Sequence, residues 1–146
     1  MPSVEVERHF AAPIEEVWRV YTDHADWSAW AGFSKSWLEV EGKPDRNGTG
    51  AVRAFGSAGV TAYEEILEFD PPKRMTYRVL RGGLPMKNHH GEVVLSPEDG
   101  RTRLTWRCRF DSKVPGLGGL MKFIVTRVFR TALAGLAANS FPEHRA

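Results

Sequence analysis

Residues 103–110 read RLTWRCRF, and this stretch decides the fold because apolar side chains alternate strictly with basic or polar ones. The apolar set is Leu104, Trp106, Cys108 and Phe110. A period of two is typical of a β-strand with one buried side and one solvent-facing side. The stretch therefore predicts a sheet with an apolar face, which another layer has to cover.

A covering layer follows directly along the chain, after Pro115 and Gly116. Apolar residues recur there at steps of three and four: Leu117, Leu120, Met121, Ile124, Val128, Ala132 and Leu136. This spacing predicts a helix of roughly seven turns that ends near residue 141. Lys122, Arg127 and Arg130 interrupt the apolar tract, so we do not expect it to span a membrane.

Toward the N-terminus, five clusters of turn-forming residues separate further period-2 runs, at residues 42–48, 56–59, 70–73, 82–85 and 96–100. Together with residues 103–110 these runs predict an antiparallel meander of six strands. Residues 4–10 predict one more strand, and residues 13–21 and 24–31 predict two short helices. The order β-α-α-β6-α predicts an α+β fold, in which a seven-stranded curved antiparallel sheet surrounds the long helix and leaves a cavity.

The length of the chain predicts one ordinary domain over residues 1–146. The 20 basic and 18 acidic residues are scattered, without the dense basic run of a nucleic-acid-binding face. The single cysteine, Cys108, excludes an internal disulfide and fits a reducing compartment. Charged residues close to the N-terminus argue against a signal peptide, so we expect a cytoplasmic protein.

Five segments carry a resemblance to a known family: APIEEVW at residues 12–18, WSAW at 27–30, GTGAVR at 48–53, EFDPPKRMTY at 68–77 and GRTRLTW at 100–106. In these segments the chain resembles the polyketide cyclase/dehydrase branch of the START-like (SRPBCC) superfamily, which includes the birch-pollen allergen fold. The resemblance implies a helix-grip fold with an internal pocket for a small hydrophobic molecule of lipid, polyketide or aromatic type. It does not identify the ligand, because one scaffold hosts cyclases, carriers and receptors.

The alternation pattern and the helical stripe yield a set of candidate ligand-binding residues. They are Arg53, Phe55, Tyr63, Glu65, Met75, Tyr77, His89, Trp106, Met121, Ile124 and Val128. Most of these side chains supply apolar wall, as the aromatic rings of Tyr77 and Trp106 would. The polar members each cost several kcal/mol if they are buried without a partner.

Two of the polar positions leave alternatives open. Arg53 and Glu65 form an ion pair, or both face solvent, or Arg53 anchors a carboxylate or carbonyl of the ligand. Strand alternation sends either His89 or His90 inward, where the imidazole forms a local hydrogen bond or acts as a general base.

Three functions fit these features. The first is binding or transport of a small hydrophobic ligand. The alternative is an aromatase/cyclase-type enzyme, in which Arg53 polarises a carbonyl while His89 or Tyr77 moves a proton. An interaction module would instead require a filled core and a large exposed apolar patch.

The sequence also limits the partners. The histidines show no metal-binding spacing, so we expect neither a metal nor a cofactor. We expect no nucleic acid and no integral membrane association, while a homodimer stays open.

Overall fold

The strand predicted at residues 103–110 is the middle of a longer strand that pairs on both sides within one antiparallel sheet. The computed structural model describes residues 2–142. Its strands are β1 (Ser3–Phe10), β2 (Lys35–Val40), β3 (Val52–Ser57), β4 (Val60–Asp70), β5 (Arg74–Gly82), β6 (Met86–Glu98) and β7 (Arg101–Ser112). Its helices are α1 (Ile14–Tyr21), a 3-10 helix (His24–Ala29) and α2 (Gly118–Ser140).

The strands run in the order β1-β7-β6-β5-β4-β3-β2, and every neighbouring pair is antiparallel. Strands β2 to β7 form a meander, and β1 crosses over to pair with β7. The curved sheet holds α2 against its inner face, so the predicted α+β helix-grip fold is confirmed.

The inner face and the stripe of α2 meet through aromatic packing. The ring of Phe129 on α2 stacks on Trp106 of β7, with ring centres 3.9 Å apart and planes 9° from parallel. The buried stripe of α2 consists of Met121, Val125, Phe129, Ala132, Leu133 and Leu136. The predicted stripe was partly wrong, because Leu120 is 56% exposed whereas Val125 and Phe129 complete the buried side.

The prediction that Tyr63 and Glu65 face the interior is wrong. Residue 64 lies opposite Arg53 and is buried, whereas Glu65 forms an ion pair of 2.8 Å with the exposed Arg78. The ring of Tyr63 packs against Arg81, whose guanidinium carbon lies 3.9 Å from the ring centre. Strand β4 has one extra residue relative to β5 between Ile66 and Phe69, and this bulge breaks the simple alternation on which the prediction relied.

Gly91 of β6 provides space for the ring of Tyr77. The two residues lie opposite each other in the β5–β6 register, and a Cβ atom at position 91 would overlap the Tyr77 ring. The ring therefore crosses the bare backbone of β6 toward the interior, where only 1% of Tyr77 is exposed.

Replacing Gly91 by Ala should displace the Tyr77 ring and lower the free energy of unfolding by about 1–3 kcal/mol, as overpacking typically does. Gly119→Ala is the matched control. It lies in the first turn of α2 with nothing within 4 Å of its added Cβ, so it should be neutral or stabilise by up to about 1 kcal/mol. Urea denaturation of both variants measures their free energies of unfolding. Equal changes in the two variants would show that the Tyr77 ring does not depend on the absence of a side chain at Gly91.

Candidate functional site

A cavity of about 510 Å³ lies between the sheet and α2. This volume falls within the usual range for small-molecule sites. Most of the lining is aliphatic or aromatic and comes from both layers, as Trp27, Phe33, Phe55, Val79, Ile124 and Val128 illustrate. The cavity is therefore a mainly apolar space that side chains leave unfilled.

The mouth of the cavity lies at the ends of two hairpins. Among the lining residues, Val60, Gly82 and Gly83 are exposed to solvent. Val60 begins β4 after the turn from β3, Gly82 is the last residue of β5, and Gly83 follows it. A ligand would enter between these turns and the N-terminal half of α2.

The cavity brings together six of the residues that the sequence analysis proposed for ligand binding. These six are Phe55, Tyr77, His89, Trp106, Ile124 and Val128. Tyr63 and Glu65 lie on the outer side of the sheet, as described above. Met75 and Met121 are buried in the hydrophobic core and do not form part of the cavity wall.

Arg53 is also absent from the wall, although it is only 1% exposed. Its Nε donates to Glu64 Oε1 at 2.9 Å, and its Nη2 lies 2.8 Å from the same oxygen. The guanidinium carbon lies 4.1 Å from the ring centre of Trp27 and 4.5 Å from that of Tyr77. The cation is thus neutralised by one carboxylate and covered by two aromatic rings.

His24 of the 3-10 helix also contacts the Arg53 guanidinium. Its Nε2 lies 2.9 Å from the carbonyl oxygen of Asn47, which can only accept, so the ring proton is on Nε2. The remaining nitrogen, Nδ1, accepts from Arg53 Nη1 at 3.4 Å. Burial and the nearby Arg53 cation lower the pKa of His24 well below its usual range, so this imidazole is neutral.

Glu64, the ion-pair partner of Arg53, lines the cavity. Burial raises the pKa of its carboxyl above the usual range, although Arg53 opposes that shift. Both contacts with Arg53 use Oε1, and within residues 2–142 no hydrogen bond to Oε2 is found. The side chain keeps 10% of its surface exposed, and this surface belongs to the cavity.

The sequence analysis missed Glu64, although the turn between β3 and β4 contained the signal. A two-residue turn at Ala58 and Gly59 pairs residue 57 with residue 60. Counting back from that pair sets Arg53 opposite Glu64 rather than beside Glu65.

The Tyr77 hydroxyl accepts one hydrogen bond and keeps its own proton. Trp106 Nε1 donates to it at 2.6 Å. Burial raises the pKa of Tyr77 well above its usual range, so the phenol stays protonated. No acceptor for this proton is found within the described part of the chain, residues 2–142. Tyr77 therefore offers a free donor at the wall.

His89 faces the cavity and is tied to the backbone of β5. Its Nδ1 accepts from the Val79 N–H at 3.1 Å, so its proton is on Nε2. Burial, Arg53 and His90 lower the pKa of His89 to about 4. At neutral pH the imidazole is an uncharged donor whose accepting nitrogen is already occupied, which makes it a poor general base.

The chemistry of the remaining cavity groups is limited. Burial raises the pKa of the Cys108 thiol to about 12, so it is not an activated nucleophile. In residues 2–142 no group of three or more His, Cys, Asp or Glu side chains could hold a metal ion. None of the helices in this part of the chain is long and apolar enough to cross a membrane.

Comparison with known proteins identifies the same architecture. The family model described as "Polyketide cyclase / dehydrase and lipid transport" matches residues 1–140. No curated protein matches the chain.

Solved structures with this fold come from several bacteria. A protein of Thermobifida fusca has 22% identity and a TM-score of 0.78, with all of both chains covered. A START superfamily protein of Mycobacterium smegmatis has 12% identity and a TM-score of 0.78, covering 93% of this chain and 94% of that one. CalU16 from Micromonospora echinospora has 25% identity and a TM-score of 0.66, covering 93% and 74%.

Replacing Glu64 by Gln should leave the Arg53 cation buried without a counter-charge and destabilise the fold by about 3–5 kcal/mol. The adjacent Glu65→Gln is the matched control, because its ion pair with Arg78 is largely exposed and should contribute no more than about 1 kcal/mol. Denaturant melts of the two variants provide the comparison. A larger loss for Glu65→Gln would contradict the register described here.

Proposed function

The chain belongs to the polyketide cyclase/dehydrase and lipid transport family, and on this premise we propose that it binds a small hydrophobic molecule in the cavity beneath α2. One observation carries the proposal: a space of about 510 Å³ with an apolar wall and a few convergent polar groups. Such a space costs packing energy if it stays empty, and a bound ligand would recover that energy.

The cyclase-type alternative finds less support in the cavity. That mechanism needs Arg53 to reach a substrate carbonyl and His89 or Tyr77 to exchange a proton. Arg53 is covered by Trp27 and Tyr77, and His89 uses its accepting nitrogen for the backbone. These placements favour binding or transport over acid–base chemistry by those three residues.

A purely interacting module is the least supported function. It would need a filled interior, whereas this interior contains a cavity of ligand size. The cytoplasmic location, the homodimer and the exclusion of nucleic acid stay predictions from the sequence.

A neutral apolar dye, N-phenyl-1-naphthylamine, should bind to the protein and gain fluorescence. Val128→Trp should weaken this binding about tenfold or more, because Val128 lines the cavity and the indole would occupy ligand space. Phe123→Trp is the control on the same helix, because Phe123 is 63% exposed. It should leave the affinity unchanged.

Fluorescence titration of the wild type and both variants measures these affinities. If the dye does not bind, or if the two tryptophan variants lose affinity equally, the cavity is not the binding site.

A further inference from the structure

Three polar side chains of the cavity wall, those of Glu64, Tyr77 and His89, form one cluster with the buried Arg53. Arg53, which is bonded to Glu64, lies 4.5 Å from the ring centre of Tyr77, and the rings of Tyr77 and His89 lie 5.5 Å apart. Ser57, another polar residue of the wall, follows a different pattern, because its hydroxyl accepts from the Ser34 backbone N–H near the β3–β4 turn. The polar end of a ligand would therefore meet the Glu64–Tyr77 side of the cavity.

This cluster offers one unoccupied acceptor. Glu64 Oε1 takes both contacts from Arg53, and within residues 2–142 its Oε2 takes no hydrogen bond. A carboxylate oxygen left unpaired in an apolar space is costly. A ligand group that donates a hydrogen bond to Oε2 would remove this cost.

The same cluster offers donors beside that acceptor. The oxygen of the Tyr77 hydroxyl accepts a hydrogen bond from Trp106, and its proton is available to donate to a ligand. The Nε2 proton of His89 is a further donor, since Nδ1 is held by Val79. A ligand atom that both donates and accepts would satisfy Glu64 and Tyr77 together.

The charge and the hydrogen-bonding capacity of a ligand group determine whether it fits this cluster. A carboxylate would meet the Glu64 carboxylate before it reached Arg53, because Glu64 lines the cavity, whereas Arg53 lies outside the wall against Trp27 and Tyr77. A protonated amine would lose its hydration close to the buried Arg53 cation. A carbonyl only accepts, so it would leave Glu64 Oε2 unpaired.

We propose that this site recognises a neutral apolar molecule through a hydroxyl group, which donates to Glu64 Oε2 and accepts from the Tyr77 hydroxyl. The proposal rests on the proposed function and names the ligand class for the same cavity. It replaces the sequence-based expectation that Arg53 anchors an acidic or carbonyl group.

Three probes of nearly equal size test the proposal on the unmodified protein at pH 7: 2-naphthol, 2-methylnaphthalene and 2-naphthoate. Calorimetric titration should show that 2-naphthol binds roughly 10- to 100-fold more tightly than 2-methylnaphthalene, as expected for a hydrogen bond to a charged group. The anion 2-naphthoate should bind most weakly.

The outcomes separate this proposal from the broader one. If 2-naphthol and 2-methylnaphthalene bind equally, or if 2-naphthoate binds most tightly, the hydroxyl class is wrong while the cavity remains a binding site. If none of the three binds, the proposed function fails and this proposal fails with it.

Two variants test the assigned atoms. The double variant Arg53→Met/Glu64→Leu removes the proposed acceptor on Glu64 together with the Arg53 cation that it neutralises. Proteins often tolerate the replacement of a buried ion pair by apolar side chains. The double variant should abolish the preference for 2-naphthol over 2-methylnaphthalene. Tyr77→Phe keeps the ring and should reduce binding of 2-naphthol but not of 2-methylnaphthalene. An unchanged preference in either variant would overturn the assignment.

Discussion

A buried guanidinium imposes the constraint on which the polar interior depends. Arg53 is only 1% exposed, and a cation in that position must be neutralised by a counter-charge. Glu64 supplies the charge, His24 supplies a neutral acceptor, and the rings of Trp27 and Tyr77 pack against the guanidinium. One side chain on β3 thereby fixes the relative positions of β4, β5 and the 3-10 helix.

The cavity follows from what surrounds this cluster. Several large rings meet here, with Trp106 stacked on Phe129 and Tyr77 lying over the backbone of Gly91. α2 rests on this aromatic layer and leaves space between itself and β3 to β6. The wall is apolar where rings and aliphatic side chains line it and polar where the Arg53 cluster reaches it through Glu64. The space for a ligand and the polar groups that would select it thus have different structural origins.

Local periodicity was sufficient to predict the fold but not the polar end of the site. The alternation at residues 103–110 and the three- and four-residue steps after Gly116 predicted β7, α2 and the covered face between them. On β4 the same reasoning was wrong, because an extra residue between Ile66 and Phe69 breaks the alternation, so that Glu64 faces the interior while Tyr63 and Glu65 do not. Tertiary details such as the tautomer of His89 depend on a bond to Val79, which no spacing rule indicates.

The most direct test of the account uses the tryptophan side chains as separate reporters of ligand position. Trp27 and Trp106 line the cavity, whereas the indole of Trp37 on β2 donates to Glu39 and is not part of the wall. In a titration with 2-naphthol followed by two-dimensional ¹H–¹⁵N NMR, the indole resonances of Trp106 and Trp27 should shift and that of Trp37 should stay in place. A shift confined to Trp37, or no indole shift at a concentration that saturates binding, would contradict a ligand site beneath α2.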